Sequence, residues 1–135
     1  MTSTTSAQPT QAPADTLLGK VVQHAIDHVQ FLPCRPELEQ VDAIANEVSA
    51  LCPVTGQPDI YTVTISYEPH GHVIESKALK LYLWRFRDMG ISCEDLAAVI
   101  AADLTRDHGY PVSVTTQQQS RGGIVLKGYA TGGLS

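Results

Sequence analysis

Residues 60–67, Ile-Tyr-Thr-Val-Thr-Ile-Ser-Tyr, are dense in β-branched and aromatic side chains and predict a strand. Ile60, Thr62, Thr64 and Ser66 fall on one face of it, and Tyr61, Val63, Ile65 and Tyr67 on the other. Residues 76–87 follow a longer period. Leu79, Leu83 and Phe86 recur at i, i+4 and i+7 and predict a helix, with Lys77, Lys80 and Trp84 on its other faces and Gly90 ending it. A second helix is expected from Ser92, a good N-cap residue, with Glu94 and Asp95 in the first turn where carboxylates suit the helix dipole. Its buried stripe is Leu96, Val99, Ile100 and Leu104, and Gly109 terminates it.

Residues 111–115 alternate as a strand, Ser120-Arg121-Gly122-Gly123 reads as a hairpin connection, and residues 124–129 as the returning strand. Two stretches stay open. Residues 16–31 have no clean period and permit a strand pair or a short helix. Leu38, Val41, Ile44 and Val48 are spaced as in a helix, yet the Val and Ile content and the following Cys-Pro permit a strand over residues 38–51. Pro33 and Pro36 mark a loop around Cys34, residues 53–59 form a Pro/Gly loop, and Pro69-His70-Gly71 turns the chain. The expected order is strand, strand, helix, helix, strand, strand. That is an α+β layout, one four-stranded antiparallel sheet with two helices on one face. So small a sheet leaves its edges open, and pairing with neighbouring copies would cover them, so a homo-oligomer is expected.

The length of 135 residues suits a single domain, taken as residues 16–135 after a Thr-, Ser-, Gln-, Ala- and Pro-rich tail (1–15) expected to be disordered. Only 6% of residues are aromatic, so aliphatic side chains must fill most of the core. A net charge of -5 argues against a nucleic-acid partner. No run of about 18 apolar residues occurs, and no membrane association is expected. The first residues lack the basic start and apolar stretch of a secretory signal, so the expected location is cytoplasmic. Cys34, Cys52 and Cys93 contain no CxxC pair, which argues against a disulfide scaffold or a bound metal and for reduced thiols.

The densest chemistry lies at residues 51–59. A cysteine sits in a rigid Pro/Gly loop with a carboxylate seven residues on, an arrangement that can hold a nucleophile and a proton donor across one substrate atom. A cysteine before proline is also commonly just a small buried residue. Lys77 and Lys80, one helical turn apart, suit a phosphate-bearing ligand or simply form a solvated face. Arg121 could add a guanidinium on a flexible turn.

Taken together, Leu-Cys-Pro-Val-Thr-Gly-Gln-Pro-Asp (51–59), Glu-Ser-Lys-Ala-Leu-Lys-Leu-Tyr-Leu (75–83) and Arg-Gly-Gly-Ile (121–124) resemble the short, single-module class of 7-cyano-7-deazaguanine reductases. The similarity runs from about Leu51 to Gly128, and Thr16-Leu17-Leu18-Gly19 also looks like the family's beginning. The resemblance implies a tunnelling fold that assembles through its sheets into a barrel-like ring, usually two stacked pentamers, with sites between subunits. It implies reduction of the nitrile of a 7-deazaguanine to a primary amine by two NADPH, in the queuosine pathway. Cys52 then matches the nucleophile and Asp59 the acid/base. Glu75, Ser76 and Glu94 match substrate contacts, and Lys77, Lys80 and Arg121 match positions for the NADPH phosphates.

One departure stands out. The family usually has Phe-His-Glu at the start of the second helix, where this chain has Ser92-Cys93-Glu94. Cys93 thus takes a substrate-bordering place, but a thiol cannot act as an imidazolium. His24, His28, His70, His72 and His108 are expected on the surface and offer no replacement. Cys93 fits a true reductase, in which it could form a reversible protective disulfide with Cys52. It also fits a retuned site with non-redox chemistry, such as an amidine-forming enzyme or a decarboxylase of 7-carboxy-7-deazaguanine. Lys77 and Lys80 lean towards NADPH. A non-catalytic deazaguanine binder is a third reading, and retention of both Cys52 and Asp59 argues against it.

Overall fold

The computed structural model describes residues 20–133. The tail expected at 1–15 and the Thr16–Gly19 motif lie outside the described residues. Nine elements follow one another: β1 (Phe31–Pro33), β2 (Val41–Leu51), β3 (Pro58–Tyr67), β4 (His72–Ile74), α1 (Ser76–Trp84), a 3₁₀ turn (Arg85–Asp88), α2 (Cys93–His108), β5 (Ser113–Gln118) and β6 (Lys127–Thr131). The main sheet is antiparallel with order β2-β3-β5-β6, and β1 and β4 form a separate two-stranded ribbon. This is the expected α+β arrangement.

β3 behaves as its alternation predicts. Tyr61, Val63, Ile65 and Tyr67 are buried, while Ile60, Thr62, Thr64 and Ser66 are half-buried on the opposite face. Each fully buried large apolar side chain stabilises the fold by roughly 1.5–3 kcal/mol. The buried face receives Ala78, Leu79, Tyr82 and Leu83 of α1, Phe86 of the 3₁₀ turn, and Leu96, Ile100 and Leu104 of α2.

β2 resolves the ambiguity of residues 38–51 in favour of a strand. Its register against β3 runs Val41↔Tyr67, Ala43↔Ile65, Ala45↔Val63 and resumes at Val48↔Tyr61 and Ala50↔Asp59. The shift between Ala45 and Val48 is a β-bulge, with Glu47 at φ 65°. Ile44 lies off the buried face and is 64% exposed.

Helix α1 ends earlier than expected, at Trp84. The chain tightens into the 3₁₀ turn, and Gly90 is no cap. It lies beyond, in a parallel bridge with Leu51, where Leu51 N–H donates to Met89 O (2.9 Å) and Ile91 N–H to Leu51 O (3.0 Å). This bridge brings the start of α2 beside the end of β2. α2 begins and ends as predicted: Ser92 Oγ accepts from Asp95 N–H (3.1 Å), and Gly109, at φ 88°, donates to Thr105 O. Ser92→Ala should destabilise the protein by about 1 kcal/mol, read as a lower urea midpoint with unchanged slope.

Other expectations need correction. Residues 20–30 form neither helix nor strand pair. They dock through single contacts, such as Val29 N–H donating to Asp107 Oδ2 (2.8 Å) and Gln30 O accepting from Glu75 N–H (2.9 Å). The hairpin at Arg121–Ile124 closes through two reciprocal backbone bonds over Gly122 and Gly123, both with positive φ. The returning strand starts only at Lys127, so Ile124, Val125 and Leu126 stay exposed. His108 is half-buried: its ring stacks on Phe31 at 4.8 Å and Nε2 lies 2.7 Å from Pro69 O. His24, His28, His70 and His72 are exposed as expected.

Candidate active site

Cys52 occupies the connection between β2 and β3. Its N–H donates to Gln57 O (2.8 Å) and its carbonyl accepts from Gly56 N–H (2.9 Å), so the loop folds back on the cysteine. Gly56 has φ 72°, a conformation that suits glycine. Pro53 packs near Gly90 on the bridge that precedes α2. The half-buried thiol is held below the ordinary cysteine range by the Thr55 hydroxyl, then by the backbone N–H groups of Thr55 and Val54. Partial burial and the Asp59 charge oppose that shift. A lowered thiol carries more thiolate near neutral pH, the form that attacks carbon.

Asp59 enters β3 opposite Ala50, on the strand's buried face, and is 5% exposed. Its Oδ1 pairs with Arg121, whose guanidinium also donates to Pro58 O at 3.3 Å. The hairpin between β5 and β6 therefore folds back over the carboxylate. The family resemblance implies a place for Arg121 at the NADPH phosphates; in the free chain its partner is Asp59.

Cys93 is the first residue of α2 and is 2% exposed. Its sulfur lies 3.3 Å from Thr116 Oγ1 and 3.7 Å from the carbonyls of Thr116 and Leu126. Thr116 has already committed its hydroxyl hydrogen to Cys93 O (2.7 Å), so every neighbour of the sulfur accepts and the thiol donates. All three cysteines are free thiols.

Tyr61 completes this group, and sequence reasoning passed over it as core. It follows Asp59 by two residues on the same strand face and is 1% exposed. Burial, then the nearby Asp59 carboxylate, push its phenol up to about 12, against the pull of Arg121. Cys52, Asp59, Tyr61, Cys93 and Arg121 thus share one electrostatic neighbourhood at one end of the sheet.

The other predicted residues form a second group at the start of α1. Glu75 is buried and caps the helix, accepting from Lys77 N–H (3.1 Å) and Ala78 N–H (2.9 Å). Ser76, Lys77 and Lys80 are exposed, as is Glu94 in the first turn of α2. A cleft of about 730 Å³ opens between β2 and α1, with Val48, Leu79, Leu83 and Trp84 on its walls and Ser76 and Lys80 among its polar groups. Cys52 and Asp59 do not line it. Among the described residues no cluster of three or more His, Cys, Asp or Glu could hold a metal, and no helix is long and apolar enough to cross a membrane.

The sheet and the two covering helices define a tunnelling fold, and the thiol–carboxylate group at one end of the sheet is a candidate covalent site. The chain belongs to the QueF-like protein family, whose model matches residues 58–132. It is 37% identical over 117 residues to an NADPH-dependent 7-cyano-7-deazaguanine reductase of Frankia casuarinae, covering 86% of this chain and 94% of the relative. Proteins of the same name from Bacteroides fragilis and Neisseria gonorrhoeae are 46% identical over 89 residues and 42% identical over 95. Those matches cover 64% and 69% of this chain but only 58% and 60% of those relatives. Among solved structures, the apo form of the archaeosine synthase QueF-Like superposes with a TM-score of 0.64 at 21% identity, over 72% of this chain and 96% of that one, which shows a shared fold.

Proposed function

We propose that this protein reduces the nitrile of 7-cyano-7-deazaguanine to an aminomethyl group with NADPH, through a thioimidate on Cys52. The observation that carries this reading is the Cys52 thiol, lowered by its own loop and within reach of the Asp59 charge. The names of the relatives supply the substrate class and the reductant.

A nitrile carbon accepts hydride poorly. When the Cys52 thiolate adds to it, a C–S bond forms and one C–N π pair moves onto nitrogen, which takes a proton. Asp59 is the group placed to give that proton. Paired with Arg121 in the free chain, Asp59 first takes the proton released as the Cys52 thiol becomes thiolate and then passes it to the nitrogen. The thioimidate carbon is then open to reduction. Collapse of the reduced adduct returns the thiolate and leaves an imine, the second acceptor. NADPH, when bound, supplies the two hydrides. Covalent catalysis thus splits one hard reduction into easier steps.

The residues present fit the reductant. Lys80 and Ser76 border an apolar-walled cleft with Trp84 partly exposed, a combination suited to a phosphate-bearing aromatic ligand. Lys77 stands on the same helical turn and Arg121 on the hairpin loop as further cations. Glu75 spends one lone pair of each oxygen on the helix cap and keeps others for the N–H edge of a guanine-like base, as does the exposed Glu94. The Cys52 group and the α1 group are separate clusters within one chain. Two copies meeting edge to edge at β2 and β6 would let one supply the thiol and the other the cations, which favours a homo-oligomer with shared sites.

The test offers the full chain 7-cyano-7-deazaguanine and NADPH. Two NADPH oxidised per aminomethyl product are expected. No NADPH oxidation, with the 7-carboxy compound losing carbon dioxide instead, would replace this reading with a non-redox one.

A further inference from the structure

The β2 wall of the cleft beside α1 carries a strained residue. Glu47 has φ 65° and lies in the β-bulge that shifts the register between Ala45 and Val48. Glycine takes such a bulge position freely, whereas a Cβ there crowds its own backbone. A glutamate held where glycine would fit more easily points to a use for its side chain. The bulge also decides where that side chain goes. In a regular strand residues 46 and 47 would point to opposite faces. Here Asn46 and Glu47 are both exposed, and both line the cleft.

The cleft supplies the matching chemistry. Asn46 is already engaged, its Oδ1 accepting from Thr62 Oγ1 at 3.3 Å. Glu47 and Lys80 are the charged side chains that line the cleft, one from the strand wall and one from the helix wall. Among the described residues they do not pair with each other, and the Glu47 carboxylate has no hydrogen bond or ion pair. Val48, Leu79, Leu83 and the 43% exposed Trp84 supply apolar and aromatic surface. One cation, one anion and an aromatic wall suit a ligand with an acid group, a pair of neutral donors and a flat ring. A nicotinamide dinucleotide has all three. Lys80 suits a phosphate. A carboxylate suits a ribose diol, whose two hydroxyls can each donate to one of its oxygens. Charge selects between the two riboses. The adenosine ribose of NADPH carries a phosphate on its 2′-oxygen, which a carboxylate repels, while the nicotinamide ribose keeps both hydroxyls free.

Resting on the reductase reading above, we infer that Glu47 is a further cofactor-binding residue, its carboxylate accepting hydrogen bonds from the two hydroxyls of the nicotinamide ribose, and that the β2 bulge aims it into the cleft. The carboxylate binds and orients; no proton or electron passes through it.

The test compares full-length wild type, Glu47→Gln and Glu47→Gly without the nitrile substrate. Binding of NADPH, and of adenosine 2′,5′-bisphosphate, which lacks the nicotinamide half, is measured by calorimetry. Glu47→Gln should weaken NADPH roughly tenfold, because hydrogen bonds to a charged acceptor become neutral ones. It should leave the bisphosphate within about twofold, well under the tenfold step that one such contact commands. Glu47→Gly should weaken NADPH at least as much while its thermal midpoint holds or rises, because the strained φ is relieved. A merely structural residue would shift the midpoint and leave both affinities unchanged, which would overturn the role of Glu47. Both ligands changing alike would overturn it too, and tightening of both would put the carboxylate at the phosphate-bearing ribose instead. Those results leave the reductase reading standing as long as wild type oxidises NADPH with 7-cyano-7-deazaguanine. That reading fails on its own if wild type does not.

Discussion

Cys52→Ala should abolish turnover while the protein still folds. Removing a covalent nucleophile typically lowers kcat on the order of 10⁴- to 10⁶-fold, because the remaining groups can bind substrate but cannot activate the nitrile carbon. The side chain is half-buried in a loop held by backbone bonds from Cys52 to Gln57 and Gly56, and none of these needs the sulfur. The thermal midpoint should therefore stay near wild type. Cys34→Ala supplies the contrast. That thiol is pushed up by burial, so little of it is thiolate near neutral pH, and its loss should leave kcat within about twofold.

The largest structural effect is expected at Gly132, just past β6. A Cβ there would lie 2.0 Å from Thr105 Oγ1 and 2.5 Å from Ala101 O. Thr105 is fully buried and its Oγ1 holds Val112 N–H at 2.9 Å, so it cannot swing aside without breaking the entry to β5. Ala101 O belongs to the helix backbone. The only relief is to lift α2 from the sheet, opening a core that includes Leu104 and Val114. Gly132→Ala should thus cost about 3 kcal/mol and lower the thermal midpoint by roughly 10 °C, as followed by circular dichroism. Gly133→Ala is the internal control, since nothing lies within 4 Å of a Cβ there.

These two sites differ in how far the sequence reveals them. The Pro/Gly loop around Cys52 declares itself, as does β3, because local chemistry and period 2 coincide there. Helix α2 is equally legible, since Ser92 and Gly109 mark its ends and the apolar stripe faces one way. β2 was not. Its bulge inserts a residue between Ala45 and Val48, so the inward positions run 41, 43, 45 and then 48, 50. Counting the outward Ile44 with Val41 and Val48 then imitates helical spacing. The late start of β6 was hidden too, because Ile124, Val125 and Leu126 have strand-like composition yet stay exposed at the hairpin.

In the candidate site, residue types were legible and partners were not. Arg121 pairs with Asp59 across 62 residues, and only the fold brings the hairpin back over the carboxylate. Tyr61 was hidden by its own alternation, since a tyrosine on the inward face of a strand reads as packing. His108 was misplaced for the converse reason: a polar residue ending a helix reads as exposed, but the β1–β4 ribbon sets Phe31 against its ring. Gly132 gave no signal, because the need for a missing Cβ is set by a helix some thirty residues earlier.

The central claim is a carbon–sulfur bond. Incubate the protein with 7-cyano-7-deazaguanine and no NADPH, quench, then map intact and peptide masses: one added substrate per chain, on the peptide holding residue 52 and lost in Cys52→Ala, is the predicted outcome. NADPH-driven turnover with no such adduct at any time, or an adduct on Cys34 or Cys93 instead, would contradict it.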